Sequence, residues 1–407
     1  MKIAIIVHRL TFKGGTQRQA LELARNLLKK GHTVKLYAFE VDRKNTYTDL
    51  INGLDVITLS DYDPHRVESF LGFFTRPSYL AWWFKRNRNA RRLAHLIDPD
   101  TDILNPHAFY VYAVSYYFKK EIRDIPAVWM LNTMTFRTWK FWRAKELNPD
   151  FSVSFFKKLF YRIMDWTELR LFINPHRIVV LNSINKALVQ KYMGKEAIQV
   201  RTGADLNRFM YRAREGRRNK KARLFGVGAL FEHRRFEDAI EAVKILNDRG
   251  YDVSLDIVGD TVQRSAYYEM LKKLVRKWDL GARVRFLGII SEEELVRVYQ
   301  GHDIGVFPSI LHPGNLATLE AMACGAPVIV SKGASLHEML TDGENALLVN
   351  EKSSEDIAEA VEQLISHPEL YRTLSKNGRR FVENNISWQK YAEAMESIFR
   401  VAASRNV

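Results

Sequence analysis

The chain has 407 residues, 46% hydrophobic and 27% charged, which excludes a disordered or low-complexity protein and gives length for two or three domains with their own cores. Its one cysteine, Cys324, excludes an intrachain disulfide and points to a reducing compartment. The net charge of +15 is lopsided: residues 1–223 carry 41 Lys and Arg against 20 Asp and Glu, residues 224–407 carry 21 against 27, so an anionic partner is expected on the first half alone.

In chain order, residues 2–8 are an apolar run too short for a signal peptide, and they read as a first strand. No segment reaches the length of a membrane-spanning helix, so a cytosolic protein is expected. A loop holding Gly14 and Gly15 leads into a helix over 17–30, whose Ala20, Leu23, Ala24 and Leu27 repeat at helical spacing, and then a strand over 33–39. This βαβ pattern predicts a parallel sheet, continued by strands at 102–105, 127–131 and 177–181. A basic link over 201–223 precedes a second series: strand 224–228, helix 236–249, strand 254–258, helix 266–278, strand 284–287, helix 292–300 and strand 303–307. The fold class expected is α/β, with two doubly wound Rossmann-like domains over 1–200 and 201–385 and a final amphipathic helix in 386–407.

Residues 303–331 carry the most chemistry. A strand ending at Pro308 and a turn at Pro313-Gly314-Asn315 precede a short helix over 316–324, stopped by Gly325 and Pro327. Asn315 is a good N-cap, so the first backbone N–H groups, at Leu316, Ala317 and Thr318, point out of the carboxyl edge of the sheet, where an anion such as a diphosphate binds. Glu320, one turn in, can accept two hydrogen bonds from a diol such as a ribose. The pattern suits a nucleotide sugar.

Glu320-Ala321-Met322-Ala323-Cys324-Gly325-Ala326-Pro327-Val328-Ile329 resembles the donor signature of the retaining glycosyltransferases of family 4, which have the GT-B architecture of two Rossmann-like domains with a cleft between them. Val200–Asp205 with Phe209, Leu255–Asp260, Arg285–Gly288 and Pro308-Ser309 fall at the family's intervals, and the resemblance runs over nearly the whole chain, weakest at 60–175. It implies a ribose contact at Glu320 and a donor-sugar contact at position 312, where His312 replaces the usual glutamate and Gly314-Asn315 the usual Phe-Gly. It also implies a glycine loop at Gly14 and Gly15 for phosphate or acceptor, a sugar contact at His107, and a weaker one at Asn132. Of the family's two diphosphate-neutralising cations, the first is replaced by Ala229, and the second falls at Arg234 beside Arg235. A catalytic set of His107, Arg234 and Glu320 follows. The implied reaction moves a hexose-type sugar from a nucleoside diphosphate sugar to a lipid-linked or cell-surface glycan, retaining configuration without metal or other cofactor.

Blander readings stand beside these. Gly14-Gly15 reads also as a tight turn, and Arg234 and Arg235 as exposed arginines at a helix start. Gly226 and Gly228 lack the third glycine of a dinucleotide fingerprint, which argues against NAD. Asp98, Asp100 and Asp102 mimic a metal–diphosphate motif, but they precede a strand and Pro99 marks a turn, so no metal is expected. Two stretches interleave aromatic and basic residues: one holds Trp82, Trp83, Arg88 and Arg91, and the other spans 136–172. They read as contact with an anionic membrane on its inner face, or as core packing, for which much of 155–172 has the spacing; single-stranded nucleic acid is the least favoured. The rival functions are a catalytically altered GT-B relative that binds nucleic acid or membrane, and another GT-B sugar-nucleotide enzyme.

Overall fold

The structure, a computed structural model, describes residues 1–59, 79–108, 111–132, 152, 154–173, 175–216, 220–261, 265–310 and 316–404, with backbone alone at 79–82, 171–172 and 265. It divides into two units, Met1–Arg201 with Trp388–Val407, and Thr202–Ser387.

The first unit runs β1 (Lys2–Leu10), α1 (Gly15–Lys29), β2 (Thr33–Val41), α2 (Thr48–Ile51), β3 (Val56–Thr58), α3 (Tyr79–Ala94), β4 (Ile103–Pro106), α4 (Tyr112–Glu121), β5 (Val128–Met130), α5 (Phe155–Thr167), β6 (Arg177–Val180), α6 (Ser183–Met193) and β7 (Ile198–Gln199). Strands pair in parallel in the order β3-β2-β1-β4 and β5-β6-β7. Parallel bridges at Leu104–Ala127 and His107–Met130 join the two ladders. Ile3 to Val7 are buried without alternation, as a strand covered on both faces requires. The order in which strands are added to the sheet reverses between the parallel β1 and β4, which places the unit's crevice at the carboxyl ends of those two strands.

The second unit runs β8 (Lys221–Val227), a 3₁₀ turn (Glu232–Arg234), α7 (Phe236–Asp248), β9 (Asp252–Val258), α8 (Ser265–Lys277), β10 (Val284–Gly288), α9 (Glu292–Gly301), β11 (Ile304–Phe307), α10 (Leu316–Ala323), β12 (Val328–Ser331), β13 (Leu347–Val349), α11 (Ser354–Ser366) and α12 (Pro368–Asn385). Its sheet is parallel in the order β10-β9-β8-β11-β12-β13. Leu224, Ile304 and Ile329 feed one core, while their neighbours Phe225, Phe307, Val328 and Val330 feed the other, so helices cover both faces. The reversal here lies between β8 and β11. Ser291 and Glu294 close a capping box that fixes the start of α9.

Helix α13 (Trp388–Ala403) returns to the first unit. Its Trp388, Tyr391, Met395 and Phe399 are buried, and Glu396 receives Lys30 Nζ at 3.1 Å and His32 Nε2 at 3.0 Å from the segment between α1 and β2.

Candidate active site

In the second unit the site grows from the carboxyl end of β8. Gly228, at φ 155°, donates its N–H to the Val258 carbonyl, and a Cβ on Gly259 would fall 2.0 Å from the Gly228 carbonyl oxygen. Only glycine at 259 lets the two strand ends come that close. A Cβ on Gly228 would lie 2.8 Å from Cζ of Arg234, so that guanidinium rests directly against the bend. The loop leaving β11 is tied to the same turn, with the Ile310 N–H donating to the His233 carbonyl at 2.8 Å. Arg234 therefore stands at the unit's reversal point, where an anion is expected.

Arg235 behaves differently, and this corrects its assignment as a donor ligand. Its backbone is left-handed at φ 56° and begins α7. Its guanidinium forks onto Asp238, with Nε to Oδ2 at 2.9 Å and Nη2 to Oδ1 at 2.5 Å, and Nη1 meets Glu237 at 2.9 Å. Two carboxylates already satisfy it.

Beyond β11, residues 311–315 lie outside the described residues, and with them the expected contacts His312 and Asn315. Helix α10 opens at Leu316 and Ala317, both half-buried, and Thr318, buried, whose Oγ1 has no hydrogen-bond partner among the described residues. Glu320 is 6% exposed, and its Oε2 accepts the Tyr299 hydroxyl at 3.0 Å. Tyr299, on α9, is fully buried between Phe209 and Phe225. A carboxylate held by a buried phenol has one rotamer fixed before any ligand arrives. Tyr299 escaped the sequence reading; its position one helix earlier gave no signal.

In the first unit, Gly14 caps and Gly15 opens α1 at the carboxyl end of β1. Asn132, leaving β5, donates to Thr16 Oγ1 at 3.0 Å and so joins the same corner. His107 continues β4 and is 0% exposed. Asn105 donates its amide to the Val128 carbonyl, so its Oδ1 must accept from His107 Nε2 at 2.8 Å. That leaves Nδ1 as the acceptor, with no partner among the described residues. Burial lowers the imidazole to about 3, so the ring stays neutral. Ala108 follows in the left-handed region at φ 76°, a strained position of the kind that clusters at functional sites. The nearby His8 is also lowered, to about 4, by burial and then by Arg9. Gln19, on α1, is buried with both amide atoms without partners among the described residues, a further candidate the sequence reading missed.

The Asp98–Asp102 motif faces elsewhere. Asp98 pairs with Lys35 at 2.8 Å, Asp100 with Lys2, and Asp102 accepts the Lys2 N–H at 2.7 Å, all at the amino edge of the sheet. Among the described residues no cluster of three or more His, Cys, Asp or Glu is placed to hold a metal ion.

The residues expected at a membrane divide. The Trp82 side chain lies outside the described residues. Trp83 is half-buried and donates its indole N–H to Glu168 at 3.1 Å, beside the buried Arg86–Glu168 pair, which corrects its reading as a surface anchor. Arg91 is held by Glu121 at 2.8 Å, and Arg88 is exposed. Of the two readings of 155–172, core packing does not fit α5, nearly all of which before Met164 is exposed.

Two family models match consecutive stretches of the chain: "Glycosyltransferase Family 4" over residues 13–208 and "Glycosyl transferases group 1" over residues 207–381. The mannosylfructose-phosphate synthase of Agrobacterium fabrum is 22% identical over 401 residues, covering 94% of this chain and 85% of that protein. The D-inositol 3-phosphate glycosyltransferase of Rhodococcus jostii is 34% identical over 134 residues, 33% of this chain and 29% of its own length. Among solved structures, the sucrose-phosphate synthase of Thermosynechococcus elongatus superposes with a TM-score of 0.77 at 19% identity over 100% of both chains. The Anabaena protein HepE, in complex with UDP and glucose, does so with 0.73 at 16% identity over 98% and 100%. The two doubly wound units are the GT-B architecture.

Proposed function

The chain belongs to the group 1 glycosyltransferases of family 4 and is a glycosyltransferase, and from that premise we propose that it moves a hexose-type sugar from a nucleoside diphosphate sugar to a lipid-linked or cell-surface glycan acceptor. The observation that carries the donor assignment is the buried Glu320, one turn into α10 and oriented by Tyr299, on the same strand-order reversal as Arg234. Glu320 takes the ribose diol, and Arg234 and the first N–H groups of α10, from Leu316 to Thr318, take the diphosphate. The relative crystallised with UDP and glucose supports this donor class.

Transfer proceeds with retention and without metal. The bond from the anomeric carbon to the diphosphate oxygen breaks, the acceptor oxygen bonds to the same face, and its proton passes to the departing phosphate. Arg234 and the α10 amides stabilise the negative charge that develops there. His107, neutral, accepts a hydroxyl of the transferred sugar at Nδ1. The basic first unit takes the acceptor, and the protein works as a peripheral protein on an anionic membrane face; no helix among the described residues is long and apolar enough to cross one.

A second reading has a specific support. Relatives named as a mannosylfructose-phosphate synthase and a D-inositol 3-phosphate glycosyltransferase point to a soluble phosphorylated acceptor, which the basic unit would also suit. A thermal-shift series over nucleoside diphosphates identifies the donor base, because a ligand of the native state raises its stability. Incubation with the matching nucleotide sugars and either lipid-linked glycan or sugar phosphates then separates the acceptors, and the anomeric configuration of the product tests retention. No stabilisation by any nucleoside diphosphate would overturn the donor assignment.

A further inference from the structure

Helix α5 is amphipathic with its apolar side turned outward. Phe155 is 72% exposed, Phe156 80% and Trp166 59%, and Leu159, Phe160 and Ile163 are exposed with them. At 100° per residue these six side chains fall within an arc of about 140°. Lys157, Lys158 and Arg162 lie outside that arc, and Met164 and Asp165 are the residues of α5 that the unit buries. A soluble monomer seldom shows so many large apolar side chains together.

Among the described residues, the helix is anchored at its C-terminal end. It passes into a π turn (Glu168–Phe172), where Glu168 is buried, receives Arg86 Nη2 at 2.5 Å and accepts the Trp83 indole N–H. The base is thus pinned while the three turns before it project.

Trp166 also lines a cavity of about 750 Å³ together with Tyr116, Lys119, Lys120, Arg170 and Lys195. Asp124 is the one acid in this lining, and it pairs with Lys119 at 3.2 Å. Burial and the neighbouring Lys119 lower the Lys195 amine. An apolar helix face and a cation-lined cavity therefore share one tryptophan.

We propose that α5 is an interfacial helix that seats this protein on an anionic bilayer, with its phenylalanines and Trp166 among the acyl chains and a lipid phosphate in the cavity beside Trp166. The proposal rests on the membrane reading given above and narrows its seat from the two aromatic–basic stretches to α5. Rings that reach past the headgroups to the first acyl carbons supply apolar contact, and the excess cations of residues 1–223 select acidic lipid.

The full chain is sedimented with vesicles of phosphatidylcholine alone and of phosphatidylcholine mixed with phosphatidylglycerol. Binding is expected to the mixed vesicles, weakening as salt is raised. Phe155→Ser with Phe156→Ser and Phe160→Ser, all at exposed positions, should weaken it about a hundredfold. Lys119→Gln with Lys120→Gln and Arg170→Gln should remove the preference for the acidic lipid. A second measurement needs no loss of binding: brominated acyl chains should quench the fluorescence of the parent protein and quench Trp166→Phe less. If the parent binds neither vesicle, the membrane reading itself fails. If the parent binds and the α5 variant binds equally, or quenching is unchanged in Trp166→Phe, the membrane reading stands and this assignment of α5 is overturned. A dimer of the parent that the α5 substitutions dissociate, without vesicle binding, would assign the face to a second copy instead.

Discussion

The hydroxyl of Tyr299 donates to Oε2 of Glu320 at 3.0 Å across two helices, with both side chains buried. The carboxylate is set before any diol arrives, so its hydrogen bonds to ribose cost little reorganisation. Glu320→Ala should weaken binding of the preferred nucleoside diphosphate by about 1.5–3 kcal/mol, the range for hydrogen bonds to a charged group. Tyr299→Phe keeps the carboxylate but loosens it, and a loss of about 1 kcal/mol is expected. Titration calorimetry on the two variants checks both, and unchanged affinity in Glu320→Ala would refute the placement of the ribose.

Gly228 and Arg234 should act as a pair. A Cβ at 228 meets the Arg234 guanidinium, a flexible end that can swing away. Gly228→Ala should therefore lower kcat/KM, and it should lower Tm as well, because φ 155° strains any residue with a Cβ. Arg234→Ala should cost on the order of 10²–10³ in kcat, as removal of one transition-state donor does, and Arg234→Lys should restore part of it. Arg235→Ala should leave kcat near the parent value and show instead as a lower Tm, because its charge serves Asp238 and Glu237. Equal kinetic losses at 234 and 235 would show the two arginines to be wrongly divided.

Acid should destabilise the first unit earlier than its carboxylates alone would. His107 is held at about 3 and His8 at about 4, against an ordinary value of 6.5. Below 6.5 the unfolded chain binds protons at these rings and the native chain does not, so stability falls as pH falls. The loss begins near pH 6.5, ends as the folded values are passed, and runs at up to about 1.4 kcal/mol per pH unit for each ring. Glu396, held down to about 2 by Arg400, Lys30 and His32, adds a further loss between its ordinary 4.5 and that value. Urea unfolding of the parent and of His8→Gln with His107→Gln, between pH 7 and pH 5, should show the flatter dependence in the variant.

Transfer should survive excess chelator, since Arg234 and the α10 amides are assigned the charge that a metal neutralises elsewhere. Replacing Asp98 or Asp100 should lower stability through Lys35 or Lys2 and leave kcat alone. Activity lost on chelation and restored by magnesium would overturn the metal-independent mechanism.

Much of this was readable in the chain. Buried parallel strands such as β8 and β11 announce themselves as short apolar runs closed by glycine or proline, and Glu320 is marked by its place one turn into a short helix and by the resemblance of the segment that follows it to the family's donor signature. What escaped depends on geometry that spacing does not carry. Arg234 and Arg235 are equivalent as letters, and the left-handed backbone at 235 is what turns one of them onto Asp238. Tyr299 meets Glu320 only because α9 and α10 pack together. In α5 the apolar arc is visible in sequence, but an arc has the same period whether it faces a core or the outside. Trp83 read as an interfacial ring because its partner, Glu168, lies 85 residues further along.

Helix α13 makes the first unit discontinuous in sequence. Trp388, Tyr391, Met395 and Phe399 fill a core whose other members were laid down before residue 202, while the second unit is continuous from Thr202 to Ser387. During synthesis, then, the unit that begins first is completed last. The second unit has all of its strands as soon as Ser387 is clear of the ribosome, whereas the unit that starts at Met1 waits with an uncovered α1 until the final helix emerges. Contacts such as Lys30 and His32 with Glu396 close loops of more than 360 residues, the kind of pairing that forms late and slowly. A chain stopped before Trp388 would keep a foldable second unit and lose the first, so loss of this one short segment would silence transfer while leaving any ligand site of the second unit intact.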